Sequence, residues 1–587
     1  PQGGVPSDDH YLFPWGGGVI GKGNTSLRTA YGENTAWWQM IDLFNPTRGG
    51  GIYLRANDPT GLYKAPHLRK GQEVRADFIL DKTGSAYLLP EMQWATALDS
   101  EPGASVCFDY LRRDRQPGQE FAAPSARLGT HAGDWRQAMR RYADWSRKTW
   151  PPRPFPSRLS TRWNTIPAGW GWQGVLVGKD GKYRTDYIKP HYDMPELMSW
   201  WSWSDKGPWG VPMDRVEEEL GTALFKRYKA YWIVEPVTGK LMYQLNRGDY
   251  DGYMPQWGGL PALRAHIQAM KDAGQIPLFY TDPLLACANT KMGSQNGPTY
   301  GVMNPRWKDA YKTGKTPEGY VGSYGGYNMC QDTEWYQAWL AKTMARVCRE
   351  TGIDGIRLDE YGHRGYVCTS PHHKHIYSEP EHNGWLQSLS RSVQLVHQAM
   401  DEVRPGLLLT TEFPGTDQMS SGLEGAIVYD LRRISAFRPA PINLFRFYFP
   451  ACRPMEINRP ARPEAKDWML WNMVAAFGGS IAYNEREHAI LTQHNDALSL
   501  GQAEPLVPTL FPRVYANRFT APGKTIWAIM NGTDHTVDAP LIKVDPAPGV
   551  RFLDLFGERE LTPDANGAIR LRLRRNQTVV VARLAKE

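Results

Sequence analysis

The chain has 587 residues, of which 41% are hydrophobic and 22% charged, a balance that excludes wholesale disorder. The formal net charge is +7, and the sequence has no block of basic residues that could bind successive phosphates. No apolar run is long enough for a membrane span. We therefore expect neither nucleic acid nor a membrane as partner. Aromatic residues form 12% of the chain and include 23 Trp, whose flat faces are good platforms for sugar rings.

The six cysteines lie at positions 107, 287, 330, 348, 368 and 452, without a CxxC pair. They are too sparse for a disulfide scaffold and fit free buried thiols as well as one or two bridges. The chain begins at Pro1 without a leader sequence. We expect an exported bacterial protein, secreted or periplasmic, whose signal peptide is absent from this chain.

Residues 1–156 are predicted to form a β-sandwich that ends in a linker helix. Short apolar segments such as 51–55 and 86–89 alternate with Gly, Pro, Asn and Asp. Residues 134–145 have apolar side chains at helical spacing, with Asp134 as the expected N-cap. The prolines at 151, 152, 154 and 156 mark the boundary.

Residues 157–507 alternate between short apolar strands and longer helices. The predicted strands are Arg158–Asn164, Tyr228–Glu235, Ile276–Asp282, Gly355–Asp359, Leu407–Glu412, Gly425–Asp430, Ile442–Phe449 and Ser480–Asn484. Eight strands separated by helices predict a closed, TIM-like (β/α)8 barrel. Residues 508–587 return to short strands and are predicted to form a C-terminal β-sandwich. The expected fold is thus multidomain, α/β plus all-β.

Polar side chains end most of the predicted barrel strands. They are Asn164, Glu235, Asp282, Asp359, Glu412, Asp430 and Asn484. The active site of such a barrel lies at the C-terminal ends of its strands, so converging carboxylates indicate acid–base chemistry or a metal. Any one of them could instead cap the helix that follows.

The segment 352–363 carries the strongest local pattern. Arg357 and Asp359 stand two residues apart on one strand and therefore on one face, so the guanidinium can keep the carboxylate ionised and oriented. Glu412 ends the next predicted strand, 53 residues after Asp359.

This pair resembles the α-amylase clan of retaining glycoside hydrolases, in which strand 4 ends in Arg-x-Asp and strand 5 in the acid/base Glu. The sandwich–helix–barrel–sandwich order resembles more closely the endo-α-N-acetylgalactosaminidase-type enzymes and uncharacterised bacterial relatives. The resemblance implies Asp359 as nucleophile and Glu412 as acid/base. The α-glucosidase and α-galactosidase families, which resemble this architecture too, place the proton donor at strand 6, which makes Asp430 the rival to Glu412. The clan's Asn-His-Asp triplet is missing, since residues 482–488 stand in its place.

Further side chains are expected to bind the sugar. Arg357, Asp282, Tyr280, His363, Asp430 and Asn484 are candidates at the barrel mouth. The Trp-rich segment 199–210, in the connection after the first predicted strand, adds Trp201, Trp203 and Trp209 as stacking platforms. At least half of these Trp residues are expected to pack the loop onto the barrel instead.

The loop 363–382 contains His363, Cys368, His372, His373, His375 and His382. Their spacing matches no common zinc site, so we expect no metal and no other cofactor. Contacts from His363 to sugar hydroxyls, or an ordinary solvated loop, are the alternatives that we retain.

The sequence thus predicts a hydrolase of α-glycosidic bonds in a poly- or oligosaccharide, with a retaining double-displacement mechanism. Adjacent strands should hold the Asp359 and Glu412 carboxyl groups roughly 5–5.5 Å apart, the separation that retention requires. The alternatives are an inverting hydrolase or a transglycosylase on the same barrel, or a carbohydrate-binding protein without activity.

Overall fold

The computed structural model describes residues 8–32, 35–71, 104–110, 117–120, 122–169, 175–304, 317–362, 366–378, 384–429, 431, 442–457 and 462–585. Within these ranges no helix combines the length and apolar character needed to cross a membrane.

Two antiparallel sheets form the N-terminal part. Their strands are β1 (His10–Phe13), β2 (Val19–Lys22), β3 (Thr25–Arg28), β4 (Met40–Asn45), β5 (Gly50–Ala56), β6 (Lys64–Lys70), β7 (Ala104–Tyr110) and β8 (Ala126–Ala132). The strand orders are β2-β1-β4-β5-β8 and β3-β6-β7. The predicted strand at 51–55 lies within β5, whereas the one at 86–89 falls outside the described residues.

Helix α1 (Trp135–Thr149) follows these sheets, and the Asp134 side chain caps its N-terminus by accepting a hydrogen bond from the Arg136 backbone N–H. Its buried side chains include Trp135, Met139 and Tyr142, which recur at the three- and four-residue spacing of one helix face. This linker helix was predicted from that spacing.

Eight parallel strands close into a barrel, which confirms the predicted fold class. In chain order they are β9 (Asn164–Ala168), β10 (Met194–Leu197), β13 (Leu278–Thr281), β17 (Gly355–Leu358), β18 (Leu408–Glu412), β19 (Gly425–Val428), β20 (Arg453–Glu456) and β21 (Ala475–Phe477). The ring closes where β21 pairs with β9.

Two predicted strands in the first half of the barrel were wrong. Residues 157–159 form a 3₁₀ turn, so the first strand begins only at Asn164. The second barrel strand is β10, a four-residue strand whose Pro195 hides its β character, and not Tyr228–Glu235. That region instead supplies β11 (Trp232–Val234), which pairs with β12 (Leu241–Tyr243) outside the barrel.

Two predicted strands in the second half were also wrong. Residues predicted as Ile442–Phe449 contain helix α9 (Leu444–Tyr448), which the Asn443 side chain caps. The seventh barrel strand is β20 (Arg453–Glu456), which follows the predicted segment. The eighth is β21 (Ala475–Phe477), which precedes the predicted Ser480–Asn484, and that segment leads into a helix. Short, wholly buried strands have no alternating pattern, so their position is hard to read from sequence.

The connections contain the remaining elements of this part. The strands are β14 (Leu285–Cys287), β15 (Gly322–Ser323) and β16 (Gly326–Asn328). The helices are α2 (Val216–Leu220), α3 (Thr222–Tyr228), α4 (Gly259–Asp272), α5 (Gly297–Tyr300), α6 (Glu334–Thr351), α7 (Trp385–Val403), α8 (Asp417–Ser420), α9, α10 (Ala465–Asn472), α11 (Glu485–Gln493) and α12 (Asn495–Leu498).

The C-terminal part is again antiparallel. Its strands are β22 (Gln502–Val507), β23 (Val514–Ala521), β24 (Lys524–Asn531), β25 (Val537–Lys543), β26 (Val550–Asp554), β27 (Arg559–Leu561), β28 (Ala568–Leu573) and β29 (Thr578–Ala585). They form one sheet of order β22-β23-β24-β29-β26-β27 and a second of β25 and β28. The first of these strands precedes residue 508, the predicted start of the sandwich.

One continuous apolar core joins all three parts. It includes Trp38 of the N-terminal part, Leu340 and Trp471 of the barrel helices, and Ala582 of the last strand. A separate cluster fills the barrel interior with side chains such as Leu278 and Leu408. This packing fixes the barrel rim on which the candidate site lies.

Candidate active site

Asp359 and Glu412 stand at the same level on two neighbouring strands. Leu358 of β17 is paired in register with Thr411 of β18, so the next residue on each strand is one of the two carboxylates. The Asp359 backbone N–H donates to Thr281 O of β13 at 2.8 Å, which continues the barrel's hydrogen-bonding one residue further. Both carboxylates therefore rise at the C-terminal mouth.

Asp359 is held by two donors. Arg357 Nη1 donates to Asp359 Oδ1, and the Tyr280 hydroxyl donates to Oδ2 at 2.8 Å. Arg357 is itself fixed, because its Nε and Nη2 donate to the buried Glu196 carboxylate at 2.8–2.9 Å. The Asp359 side chain remains 18% exposed, so this oriented carboxylate still faces solvent.

The surroundings of Asp359 raise its pKa to about 6. Burial is the largest cause, and the neighbouring Glu412 and Glu360 carboxylates raise the pKa further. The guanidinium of Arg357, and that of Arg247 more weakly, opposes this shift. Asp359 is thus mostly ionised at neutral pH.

The backbone after each carboxylate is strained. Glu360 and Phe413 directly follow Asp359 and Glu412, with φ values of +59° and +62° in the left-handed region. The Gly362 N–H donates to Glu412 O at 3.0 Å, and a Cβ at Gly362 would collide with the carbonyl oxygens of Glu412 and Phe413. Glycine at this position lets the two loops approach each other.

Tyr280 and Asp282 were predicted to contact sugar, but the structure uses both to support other side chains. The Arg247 guanidinium donates to Asp282 Oδ2 at 2.6 Å and to the Tyr280 hydroxyl at 2.6 Å. All three side chains are buried. They form a chain that ends on Asp359, so they position the carboxylate instead of presenting groups to a ligand.

The Trp-rich segment follows β10, the second barrel strand, and two of its indoles have no open face. Trp201 is 1% exposed and packs against the Tyr280 ring at 5.8 Å between centroids. Trp203 is 5% exposed and meets the edge of Trp257 at 5.1 Å. The expectation that these two stack on sugar is therefore wrong, because aromatic packing occupies them. Trp209 is half-buried and remains a candidate platform.

Two predicted strand-end residues are structural. Asn484 is exposed and caps helix α11 by accepting a hydrogen bond from the Glu487 backbone N–H at 2.9 Å. Glu235 lies outside the barrel strands, where its carboxylate accepts from Trp257 Nε1 at 2.6 Å. Neither belongs to the mouth.

Several expected site residues lie outside the described part of the chain. They are His363, His382 and Asp430. Their proposed roles stay predictions.

Three charged residues of the site were missed from sequence. Glu196 and Glu456 lie on β10 and β20, the strands that were wrongly placed, and both are buried. Glu456 Oε2 accepts from the Leu431 backbone N–H at 3.3 Å, next to the end of strand 6. Arg247 lies in a long connection where no pattern marks it. A correct placement of the Met194–Leu197 strand would have identified Glu196.

Comparison with known proteins shows what this barrel is similar to. No family model matches the sequence, and no curated protein matches it in sequence. A GH36 α-galactosidase from Geobacillus stearothermophilus, a variant of AgaA, aligns over 99% of this chain and 75% of its own, with a TM-score of 0.56 and 10% identity. An α-N-acetylgalactosaminidase mutant from Bifidobacterium bifidum, NagBb, aligns over 89% and 79%, with a TM-score of 0.56 and 12% identity.

An α-amylase from Anoxybacillus aligns over 73% of this chain and 99% of its own, with a TM-score of 0.48 and 11% identity. The two alignments with a TM-score of 0.56 show that the barrel flanked by β-sheet parts shares its fold with the α-galactosidase and the α-N-acetylgalactosaminidase. At these identities the comparison shows the fold alone.

Proposed function

We propose that the protein is a retaining glycoside hydrolase that cleaves α-glycosidic bonds of an oligo- or polysaccharide. The observation that carries this proposal is the paired carboxylates at the mouth. Asp359 is oriented by Arg357 and Tyr280, remains partly exposed, and stands level with Glu412 on the adjacent strand. If the Arg357–Asp359 ion pair served only stability, the Asp359 carboxylate would not need to be partly exposed or to stand beside Glu412.

In this proposal Asp359 attacks the anomeric carbon and forms a glycosyl ester, while Glu412 protonates the leaving oxygen. Water then hydrolyses the ester, with Glu412 acting as base. Arg357 and Tyr280 keep Asp359 ionised and fix its two oxygens, so little reorganisation is needed as it attacks. Asp359 is shorter than Glu412, which leaves Glu412 free to reach outward to the leaving group.

The rival proton donor is Asp430, after strand β19. Turnover of the Glu412→Ala and Asp430→Ala variants on two kinds of substrate shows which residue is the proton donor. On aryl α-glycosides with a good leaving group, the variant that lacks the donor should still form the glycosyl ester rapidly. On substrates with a poor leaving group, its turnover should fall at least ~10³-fold. Glu235→Gln, a carboxylate outside the barrel mouth, serves as control and should behave like the unchanged protein.

Activity itself is tested by release of reducing sugar from a panel of α-linked oligo- and polysaccharides, repeated with Asp359→Asn. Release that the Asp359→Asn variant lacks supports the proposal. Sugar binding without release would favour the alternative of a carbohydrate-binding protein, and an inverted first product an inverting hydrolase. Transfer of the glycosyl group to added acceptor sugars instead of water would favour a transglycosylase.

A further inference from the structure

Four potential metal ligands from two separate segments of the chain lie close together. Cys330 precedes helix α6, whereas Cys368, His373 and His375 belong to the loop that follows Asp359. One ligand atom from each residue lies within 4.8 Å of all the others. The set contains two thiols and two imidazoles, which is the ligand chemistry of structural zinc.

The distances suit a tetrahedral ion. Cys368 Sγ and His373 Nε2 are 3.5 Å apart, and the His373 and His375 ring centroids are 4.8 Å apart. Zinc bonds of ~2.3 Å to sulfur and ~2.0–2.1 Å to nitrogen place neighbouring tetrahedral ligands about 3.5 Å from each other. Little movement of these side chains is needed to surround an ion.

His373 already presents the nitrogen that a metal needs. Its Nδ1 lies 2.7 Å from Thr299 O, and a carbonyl can only accept, so Nδ1 carries the proton. Nε2 is then the lone-pair nitrogen, and it faces the Cys368 sulfur. A hydrogen bond from the ring nitrogen that does not bind the metal is the usual support of a zinc-bound histidine.

Separate contacts hold the two segments in register. The Asp332 carboxylate, two residues after Cys330, accepts from the backbone N–H groups of Tyr377 at 3.1 Å and Ser378 at 2.8 Å. The Ile376 N–H also donates to Asp332 O at 3.0 Å. Both cysteines are only 3% exposed, and the two histidines are half-buried.

A second group of potential metal ligands is less suited to a metal ion. His67, Cys107 and Asp109 also lie together, but Arg28 pairs with the Asp109 carboxylate at 3.1 Å. The guanidinium there already supplies the positive charge and would repel a cation.

We propose that Cys330, Cys368, His373 and His375 bind one structural zinc ion that fastens the loop after Asp359 to the segment before α6. Four protein ligands leave no open coordination position, so the ion stabilises the loop and takes no part in chemistry. This revises the expectation of no metal. The sequence spacing within the loop concealed the site because its fourth ligand, Cys330, lies on another connection. The proposal does not depend on glycosidase activity.

Metal analysis of the purified full chain tests the site directly. We expect about one zinc ion per chain. His373→Ala and Cys368→Ser should reduce the zinc content at least about tenfold. His372→Ala, the exposed neighbour, and Cys348→Ser, a buried cysteine of α6, are the matched controls and should retain it.

A measurement on the unchanged chain keeps the proposal testable if the variants misfold. Titration with a thiol-specific mercurial should release zinc as Cys330 and Cys368 react, and both should be recovered as modified thiols by peptide mass analysis. A chain without zinc when purified and when supplied with zinc, a Cys330–Cys368 disulfide, or undiminished zinc in folded His373→Ala would overturn the proposal.

Discussion

At the scale of residues, the central feature is a guanidinium shared by two carboxylates. Arg357 contacts Glu196 through one edge and Asp359 through Nη1. Glu196 is buried and neutralised by this contact, whereas Asp359 keeps an exposed face. The shared guanidinium therefore orients Asp359 and leaves one face of its carboxylate exposed.

The pH dependence of activity follows from the pKa of Asp359. In the proposed mechanism the ionised form attacks, so the acid limb of the kcat/KM profile should have its midpoint near pH 6. Tyr280→Phe removes a hydrogen bond that stabilises the ionised form, so it should raise this pKa and move the acid limb upward by about one unit. A pH–rate profile of both proteins checks this.

Tyr483→Phe is the control for that experiment. Its buried hydroxyl donates to Val474 O at 2.9 Å, so the variant loses a comparable hydrogen bond away from Asp359. Its acid limb should stay in place. An unchanged or downward-shifted limb in Tyr280→Phe would mean that the limb does not report Asp359.

The Arg357–Asp359 pair could be predicted from sequence because two residues on one strand must share a face. The role of Arg247 and the burial of Trp201 could not be predicted from sequence. Both depend on how long connections fold over the barrel, and local patterns do not encode that packing.

At the scale of elements, the loops after β17 and β18 are fastened to each other at Gly362. Its N–H donates to Glu412 O, and its missing Cβ leaves room for the Phe413 carbonyl. The loop that carries the proposed zinc ligands begins directly after this contact. Small changes here should therefore alter the spacing of the two carboxylates.

Gly362→Ala should lower turnover by at least about tenfold, because backbone carbonyls cannot move aside as side chains do. Gly479→Ala is the matched control, since Gly479 is exposed with open space around it and is not among the glycines of positive φ. Turnover and melting temperature of both variants decide the matter. Full activity in Gly362→Ala would show that the loop contact is dispensable.

The sequence predicted β13, β17, β18 and β19 closely because each is a buried apolar run that ends in a polar residue. It failed for β10 and β20, which contain Pro195 and Pro454, and for β21, which has only three residues. Short strands of this kind are set by closure of the barrel, since neighbours on both sides supply the pairing.

At the scale of the whole molecule, a buried carboxylate connects the N-terminal part to the barrel. Asp417 begins helix α8, five residues after Glu412, and accepts hydrogen bonds from the Tyr31 hydroxyl at 2.7 Å, the Tyr142 hydroxyl at 2.6 Å and Ser146 Oγ at 2.8 Å. The three donors come from the N-terminal part and helix α1. This contact holds the N-terminal part and helix α1 against helix α8 of the barrel part.

Asp417→Ala should lower the free energy of unfolding by at least about 2 kcal/mol, because two tyrosine hydroxyls lose their acceptor inside the core. Ser146→Ala removes one of the three donors and should cost less, roughly 1 kcal/mol. Denaturant unfolding of both variants measures the difference. Equal stability of Asp417→Ala and the unchanged protein would contradict this role.

The central claim is that Asp359 forms a covalent glycosyl intermediate, and the anomeric configuration of the first product tests it most directly. NMR of an α-glycoside during early turnover should show the α-anomer before mutarotation, and mass analysis with a slowly hydrolysed fluorosugar should find the label on Asp359. A β-anomer as first product, or a label on another carboxylate, would contradict the account.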